Sequence, residues 1–413
     1  MKLAILSTYD SIGGASRAAF RLHKGLLNRG VDSNMLVQKK DTDNSKVFDI
    51  KSRKEKIWNE IAIRLNDIPL KKYPKRENYI FSPALYGGFN ENNYIKQYDL
   101  FNIHWVGGGF QSIDSIKNIT KPIILTLHDS WAFTGGCHIP YPCEKFTTKC
   151  GACIKLASNK DTDLSTRIWQ KKIDAWKNKN IVLVGDGNWV ANNAKKSAIF
   201  KDHQIEVIHP GLDLDVFKPH DKKICRDILG LDQHCNYILF GAVNSTKDKN
   251  KGFDILTEAL KIYSQNGLVK NNPKLLVFGS SEATIKENYG VETKYIGKVF
   301  DDITLSILYS AADVMIVPSI IESFGQTASE SFACGTPVVA FDTSGLRDIV
   351  DHQVNGFLAE SYSPISLAYG INWVLEDKER LIELSRNSRI KAKAKFSMEK
   401  YVESYYKLYR SLI

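Results

Sequence analysis

A strand–helix–strand pattern in the last third of the chain constrains its fold more than any other stretch. Residues 313–317 form an apolar run of strand type that a proline closes. Ser323 and Gln326 have the spacing of a capping box, which predicts a helix that begins directly after the serine. Gly335 is a typical helix stop, and residues 338–341 form the next apolar strand. This order is typical of a parallel α/β sheet.

The tip of this predicted helix lies where a parallel strand ends. Amides in the first turn of a helix have no intrahelical partner, and the helix dipole makes that end positive. Such a tip suits a phosphate or diphosphate group. The tip is expected to comprise Ser323, Phe324, Gly325, Gln326 and Thr327, with Phe324 as the first helical residue.

Two glutamates flank the predicted tip. Glu322 precedes it, and Glu330 lies roughly 12 Å further along the axis, at about 1.5 Å per residue. One carboxylate can therefore hold sugar hydroxyls while the other holds ribose hydroxyls, with a diphosphate between them. The alternative is an ordinary capped helix that exposes both glutamates to solvent.

Length and composition indicate a globular protein of two or three domains. The chain has 413 residues, of which 43% are hydrophobic and 25% are charged. No apolar run approaches the roughly 18 residues of a membrane-spanning helix, and the apolar N-terminus is too short for a signal peptide. We therefore expect a cytoplasmic protein. Its net charge of +10 suits anionic substrates, an acidic membrane surface or nucleic acid.

The positive charge is concentrated in residues 51–79, which contain nine basic and four acidic residues. Apolar residues recur among them at approximate helical spacing, namely Ile57, Trp58, Ile61, Leu65 and Ile68. The pattern is typical of a basic amphipathic helix at a membrane surface. A solvated helix with one stripe facing the core is the alternative.

The beginning of the chain has the pattern of a doubly wound domain. Residues 2–7 predict a buried strand, Gly13 and Gly14 follow in a loop, and residues 15–27 have helical spacing. The glycines do not complete a dinucleotide-binding fingerprint. They fit either a tight strand-to-helix turn or a loop that contacts a ligand.

Two histidines end predicted strands in this half. His128 follows the strand at 122–127, at the edge where open α/β sheets bind ligands, and it is our candidate for ligand contact, with Asp129 as a weaker one. His104 lies near the end of the strand at 98–105 and either lines the acceptor side or packs in the core.

Four of the seven cysteines fall within seventeen residues, at Cys137, Cys143, Cys150 and Cys153. Clustered thiols in a cytosolic protein indicate a structural metal such as zinc. Only one pair has the Cys-x-x-Cys spacing, so free thiols or a disulfide pair remain alternatives. We assign no catalytic role to this cluster.

A lysine-rich loop follows the strand predicted at 237–243. It contains Lys247, Lys249 and Lys251, and a lysine here can neutralise a departing diphosphate. A solvated loop is the alternative, above all for Lys249. A proline and glycine cluster near residue 210 predicts the boundary between two domains.

The string at 318–339 resembles the signature of the retaining glycosyltransferases of family 4. It has Glu-x7-Glu, a Ser-Phe-Gly between the two glutamates, and Cys-Gly-Thr-Pro-Val-Val after them. The resemblance implies that His128, Glu322 and Lys251 are catalytic. It also implies a donor site formed by Gly13, Gly14, Lys247, Gly297, Ser323, Phe324, Gly325, Gln326, Thr327 and Glu330. One phosphate-binding arginine of the family pattern is absent at 242–246, where Lys247 is its candidate substitute.

The same resemblance implies a fold. It is the α/β GT-B fold, with two doubly wound, Rossmann-like domains facing across a cleft. The acceptor-side domain would comprise residues 1–212, the nucleotide-sugar domain residues 213–395, and the last helix, 396–413, would cross back onto the first domain.

The activity implied is transfer of a hexose from a UDP- or GDP-sugar to a hydroxyl, with retention at the anomeric carbon. The attack would be front-face, with a phosphate oxygen taking the proton and no catalytic metal required. The acceptor would be a lipid-linked saccharide in capsule or exopolysaccharide assembly, handled at the inner face of a membrane. A sugar-nucleotide 2-epimerase and a non-catalytic basic binding protein are the alternatives. No motif supports nucleic-acid binding.

Overall fold

The chain divides into two compact units in the computed structural model, which describes residues 1–49, 53–77, 81–242, 246–265, 273–280, 289–299 and 301–413. Unit 1 comprises Met1–His209 and Tyr401–Ile413, and unit 2 comprises Pro210–Lys400. Both ends of the basic segment, including Lys51, lie outside the described residues. So do residues 243–245, in the stretch where the family arginine is missing.

Unit 1 is built on a parallel sheet of seven strands, in the order β3-β2-β1-β4-β5-β6-β7. The strands are β1 (Lys2–Tyr9), β2 (Asp32–Lys39), β3 (Val47–Asp49), β4 (Leu100–Ile103), β5 (Ile123–Leu127), β6 (Ile181–Gly185) and β7 (Ile205–Val207). The central strands are largely apolar and buried over most of their length, because helices cover both faces of a parallel sheet. Leu3, Ala4, Ile5 and Leu6, for example, are all fully buried.

The helices of unit 1 follow its strands. They are α1 (Gly14–Asn28), α2 (Arg53–Asp67), α3 (Ile113–Asn118), α4 (Leu164–Trp176) and α5 (Asn188–Lys196). Strand order reverses between β1 and β4, and the carboxyl ends of strands at such a reversal form the ligand-binding crevice of open α/β sheets.

Unit 2 repeats this plan with six parallel strands, in the order β10-β9-β8-β11-β12-β13. The strands are β8 (Tyr237–Gly241), β9 (Lys274–Phe278), β10 (Glu292–Gly297), β11 (Val314–Val317), β12 (Val338–Phe341) and β13 (Gly356–Ala359). Its helices are α6 (Lys222–Ile228), α7 (Phe253–Gln265), α8 (Asp302–Ala311), α9 (Gln326–Ala333), α10 (Pro364–Leu375) and α11 (Lys378–Lys395). Here the order reverses between β8 and β11.

The last helix, α12 (Met398–Leu412), contributes to unit 1 from Tyr401 onward. Three tyrosines spaced four residues apart lie on its buried face, at positions 401, 405 and 409. The hydroxyl of Tyr405 is 2.9 Å from Thr126 Oγ1 on β5, and that of Tyr409 accepts a 2.8 Å hydrogen bond from Asn102 on β4. The end of the chain is thereby hydrogen-bonded to the central strands of the first sheet.

Two parallel-sheet, Rossmann-like units confirm the fold class expected from the sequence. The units divide at residues 209/210 and 400/401, close to the predicted positions 212 and 396. None of the helices in the described part of the chain combines the length and apolarity needed to cross a bilayer.

We expect Asp313 to be a main determinant of the stability of unit 2. Its carboxylate accepts bonds from the buried Arg226 guanidinium at 2.8 Å and from the amide of Tyr237 on β8 at 2.7 Å. Asp313→Ala leaves that arginine buried without its counter-ion and should lower the free energy of unfolding by about 3–5 kcal/mol. Urea denaturation measures the change.

The exposed pair Arg347–Asp342 is the matched control for this prediction, because 60% and 47% of its side chains remain accessible. Asp342→Ala should cost less than about 1 kcal/mol. Equal losses for the two variants would contradict the importance given to the buried pair.

Candidate active site

The β11–α9 turn places the tip of α9 at the reversal point of the second sheet. The predicted capping box is wrong: α9 begins at Gln326, Gly325 is its N-cap residue, and no side chain caps it. Gly325 adopts a left-handed backbone with φ of 105°, which glycine tolerates, so the helix starts two residues later than expected. Ser323 and Phe324 therefore lie in the loop before the helix, and Gln326 and Thr327 are its first two residues.

Glu322 lies in this loop and is paired with Lys251 from the loop after β8. Lys251 Nζ is 2.6 Å from Glu322 Oε1, and the hydroxyl of Ser319 donates to the same oxygen at 2.8 Å. Burial acts to lower the pKa of Lys251, but the neighbouring Glu322 carboxylate outweighs it and the pKa is raised. The lysine is thus a fixed cation at the carboxyl ends of β8 and β11.

Asn250 holds the two loops together, and sequence reasoning missed it. Its amide donates to the carbonyl of Ile321 at 2.8 Å, and its backbone carbonyl accepts from the amide of Ile320 at 2.8 Å. Gly252 allows this approach, since a Cβ there would lie 2.0 Å from the carbonyl oxygen of Pro318. An asparagine between two lysines has no periodic signal that would have indicated this role.

A recess in unit 2 is bounded by Gly241, Ala242, Lys251, Pro318, Ser319, Glu322 and Thr327, together with buried residues of β8 and β11. Lys251 and Thr327 are the members of this lining that were predicted to bind a diphosphate. The end of a parallel strand, the first turn of α9 and a lysine therefore meet in one place, and phosphate binding there stays a prediction.

Glu330 lies on the second turn of α9 and is only 3% exposed. The hydroxyl of Tyr309 on α8 donates to Glu330 Oε2 at 3.0 Å. A carboxylate buried at this depth is unlike a solvated surface residue, which disagrees with the alternative of two exposed glutamates. Its contact with a ribose stays a prediction.

Two further predicted donor residues of unit 2 are Lys247 and Gly297. Lys247 is exposed in the turn after β8. Gly297 ends the edge strand β10 with a φ of 84°, and its carbonyl accepts the amide of Gly279 at 2.7 Å. The position of Gly297 leaves open space where a side chain would be.

In unit 1, Gly13 and Gly14 lie between β1 and α1, at the reversal point of that sheet. Gly13 is the N-cap residue with φ of 83°, and Gly14 is the first helical residue. Open space surrounds the position where a Cβ of Gly13 would lie. The loop has the predicted place, and ligand contact by the two glycines stays a prediction.

His128 and His104 form one hydrogen-bonded chain with Asp186, which follows β6. His128 Nδ1 is 2.6 Å from Asp186 Oδ2, and His128 Nε2 is 2.8 Å from His104 Nδ1. Burial, and then the neighbouring His128, lower the pKa of His104 well below its usual value. Both ring nitrogens of His128 are therefore engaged within unit 1, and contact with a donor sugar stays a prediction.

A second chain lies beside the first and joins Asp129, His138 and Ser82. His138 Nδ1 is 2.7 Å from Asp129 Oδ2, and His138 Nε2 is 2.8 Å from Ser82 Oγ. Burial acts to raise the pKa of Asp129, but His138, the backbone amide of Trp131 and His128 together outweigh it and the pKa is lowered. Sequence reasoning named Asp129 as a weaker candidate, and its contact with a ligand stays a prediction. It missed Asp186, His138 and Ser82, because their positions in the chain carry no signal of these contacts.

The clustered cysteines lie in the loop region after β5. Cys137 Sγ and Cys153 Sγ are 3.6 Å apart, and the amide of Gly135 donates to Cys150 Sγ at 3.2 Å. Cys143 is the least buried of the four, and all are free thiols. Among the residues described, no three His, Cys, Asp or Glu side chains are arranged to hold a metal ion.

Comparison with known proteins agrees with this geometry. Residues 226–393, which contain Lys251, Glu322 and Glu330, match the family model for glycosyl transferases, group 1. A D-inositol 3-phosphate glycosyltransferase of Segniliparus rotundus is 33% identical over 256 residues, 56% of this chain and 55% of that relative. The chain thus spans about half the length of the curated relatives it matches.

Two solved structures resemble the whole chain in fold. Sucrose-phosphate synthase from Thermosynechococcus elongatus has a TM-score of 0.70 at 19% identity, covering 100% of this chain and 99% of that one. HepE of Anabaena, in complex with UDP and glucose, has a TM-score of 0.69 at 16% identity and full coverage of both chains. Residues 226–393 are therefore similar to glycosyl transferases of group 1, and the chain shares the GT-B fold of the two solved structures.

Proposed function

We propose that the protein is a retaining glycosyltransferase that moves a hexose from a UDP- or GDP-sugar to a hydroxyl of a saccharide. The observation that carries this proposal is the meeting of Lys251, Glu322 and the tip of α9 at the reversal point of the second sheet. This site lies inside the region that matches the group 1 family.

The tip of α9 is suited to the diphosphate of such a donor. A helix N-terminus combines backbone N–H groups with a positive dipole, and Lys251 adds a full positive charge beside it. The left-handed Gly325 turns the chain into the helix, and it has no side chain because Leu346 packs 2.9 Å from where a Cβ would lie. UDP and glucose are bound in the structure of HepE, which has the same fold.

The chemistry follows from where charge develops. As the bond between the anomeric carbon and the diphosphate breaks, negative charge grows on the departing phosphate oxygens. Lys251 would then shift its interaction from Glu322 towards the phosphate, since the carboxylate and the phosphate compete for one ammonium group. Glu322, released from that bond, would accept hydroxyl groups of the transferred sugar and hold it in place.

Glu330 would grip the ribose hydroxyls of the same donor. Its carboxylate is only 3% exposed and accepts a hydrogen bond from Tyr309, so it is already desolvated and oriented. A ribose hydroxyl would add a charge-assisted hydrogen bond to this preformed acceptor.

We further propose a lipid-linked saccharide acceptor in surface-polysaccharide assembly, with the protein bound to an acidic membrane surface. The support is helix α2, which carries four basic and three acidic residues and on which Ile57, Trp58 and Ile61 are 53%, 43% and 41% exposed. Exposed apolar side chains flanked by lysine and arginine match the chemistry of an anionic bilayer surface. D-inositol 3-phosphate, named for the sequence relatives, suggests a cyclitol phosphate as a second acceptor to test.

Product analysis separates this function from its alternatives. An epimerase converts an NDP-sugar without any acceptor, whereas a transferase releases NDP in proportion to glycosylated product. A non-catalytic binding protein would do neither. Incubation with UDP-glucose, with and without a saccharide mixture, distinguishes the three.

Binding of a donor nucleotide should depend on Glu330. We expect one of the three groups of donors, the UDP-, GDP- or ADP-sugars, to raise the melting temperature of the protein. A ligand that binds only the folded state stabilises that state. Glu330→Gln keeps the volume and the Tyr309 bond but removes the charge. It should weaken binding roughly 10- to 100-fold, since a hydrogen bond to a charged group contributes about 1.5–3 kcal/mol.

Glu383→Gln on α11 is the matched control, because Glu383 is exposed and far along the chain from the site. It should leave the shift unchanged. A Glu330→Gln protein that retains the full nucleotide-induced shift would contradict the ribose assignment.

Membrane binding should depend on the exposed apolar residues of α2. The double substitution Ile57→Glu and Ile61→Glu should lower co-sedimentation with phosphatidylglycerol vesicles roughly tenfold or more, because each buried aliphatic side chain contributes about 1.5–3 kcal/mol. Ile382→Glu is the control, because it replaces an isoleucine that is 62% exposed on a different helix, α11. Equal binding by all three proteins would rule out α2 as the docking element.

We also propose that Cys137, Cys143, Cys150 and Cys153 bind a structural zinc ion. The 3.6 Å between two of the sulfurs is close to the roughly 3.7 Å expected between thiolates at about 2.3 Å from a tetrahedral zinc. The other thiols would have to move inward. Metal analysis should find about one zinc per chain, lost in Cys150→Ser and kept in Cys235→Ser. Zinc-free, folded and fully reduced wild-type protein would exclude this site.

A further inference from the structure

A small recess in unit 1 lies at the carboxyl ends of β4 and β5. It has room for about 30 Å³, the size of a single water molecule or hydroxyl group. Its polar and aromatic lining comprises Ser82, His104, Trp105, Thr126, His128, Asp129, Trp131 and His138. The two hydrogen-bonded chains of unit 1 therefore both end at this recess.

The positions of the hydrogens in the first chain follow from Asp186. A carboxylate only accepts hydrogen bonds, so His128 Nδ1 must carry the hydrogen of the 2.6 Å contact. In the neutral form of His128 the other nitrogen is then an acceptor, so His104 Nδ1 donates to it at 2.8 Å and His104 Nε2 is left with a lone pair. We adopt this neutral form, which the histidine NMR experiment below tests directly.

That lone pair has no partner among the residues the structure describes. His104 is only 3% exposed, and its Nε2 is a buried acceptor without a hydrogen bond. Buried polar atoms in native proteins are nearly always paired, with protein, water or ligand. We therefore expect a hydrogen-bond donor of about the size of a hydroxyl group to bind in the recess.

The second hydrogen-bonded chain, formed by Asp129, His138 and Ser82, also presents an acceptor to the recess. Asp129 accepts from His138 Nδ1, so His138 Nε2 accepts the hydrogen of Ser82. Ser82 Oγ is left with lone pairs that face the recess as acceptors. Two acceptors and no charged donor favour a neutral hydroxyl and disfavour a phosphate or carboxylate oxygen.

We propose that this recess binds one hydroxyl group of a neutral carbohydrate, which donates its hydrogen bond to His104 Nε2. Asp186 is a positioning residue: it contacts no ligand, but through His128 it fixes His104 as an acceptor. The rings of Trp105 and Trp131 supply apolar walls for the adjoining sugar carbons. The identification of the ligand as a carbohydrate rests on the proposed function.

Which ring nitrogens of His104 and His128 carry hydrogens can be tested without any ligand. In full-length protein labelled with ¹⁵N-histidine, NMR should show His104 and His128 protonated at Nδ1 and bare at Nε2. Asp186→Asn offers an amide that can donate as well as accept, so this order should be lost or mixed. Asp202→Asn, at an exposed carboxylate of unit 1, is the matched control and should leave both rings unchanged. A hydrogen on His104 Nε2 in the wild type would overturn the proposal.

Ligand binding is tested by titrating the same sample with UDP, UDP-glucose, methyl α-D-glucoside and myo-inositol. At least one sugar or cyclitol probe should shift the His104 Nε2 resonance, and UDP alone should not. His104→Phe and Asp186→Asn should each weaken that probe at least tenfold while leaving the UDP-induced rise in melting temperature intact. His104→Phe would also remove the acceptor outright, and Asp186→Asn keeps the ring in case the first variant fails to fold.

The outcomes separate this inference from the proposed function. If UDP stabilises the protein but no hydroxyl-bearing probe perturbs His104, the recess holds a structural water only and the inference is wrong. If a sugar probe perturbs His104 but no nucleotide stabilises the protein, the inference stands and the proposed donor site fails.

Discussion

The ion pair between Lys251 and Glu322 joins the two loops on which the candidate donor site depends. One loop follows β8 and the other follows β11, the strands between which the order of the second sheet reverses. Asn250 and Gly252 bring the backbones of these loops into contact, so the ammonium group is fixed beside the tip of α9. A cation held at a helix N-terminus by a displaceable carboxylate is prepared for an anion that binds and later leaves.

The fold could be predicted from the sequence because parallel strands buried on both faces are continuous apolar runs. Residues 313–317 and 338–341, for example, gave β11 and β12 to within one residue. Strands β2 and β3 lie towards one edge of the first sheet and have weaker apolar runs, and the sequence did not identify them. The start of α9 was wrong because the spacing of Ser323 and Gln326 fits a capping box, whereas the left-handed backbone of Gly325 moved the start past both loop residues.

The candidate sites show where a single sequence reaches its limit. His128 directly follows β5, and Glu322 and Lys251 lie in the loops after β11 and β8. They could be named as candidates because the carboxyl ends of parallel strands are neighbours. Asp186 and His138 were missed because their importance comes only from contacts with residues 58 and 9 positions away along the chain. Those contacts assign hydrogens to particular ring nitrogens, a property that residue type and spacing do not encode.

Calorimetric titration with UMP and UDP tests the central claim most directly, because the difference between the two affinities isolates the second phosphate. The account predicts that Lys251→Gln lowers the affinity for UDP roughly 10- to 100-fold and that for UMP much less. Lys249→Gln, two residues away at an exposed position, should bind both nucleotides as the wild type does. If Lys251→Gln binds UDP as tightly as the wild type, or if the wild type does not favour UDP over UMP, the diphosphate is not bound at the tip of α9.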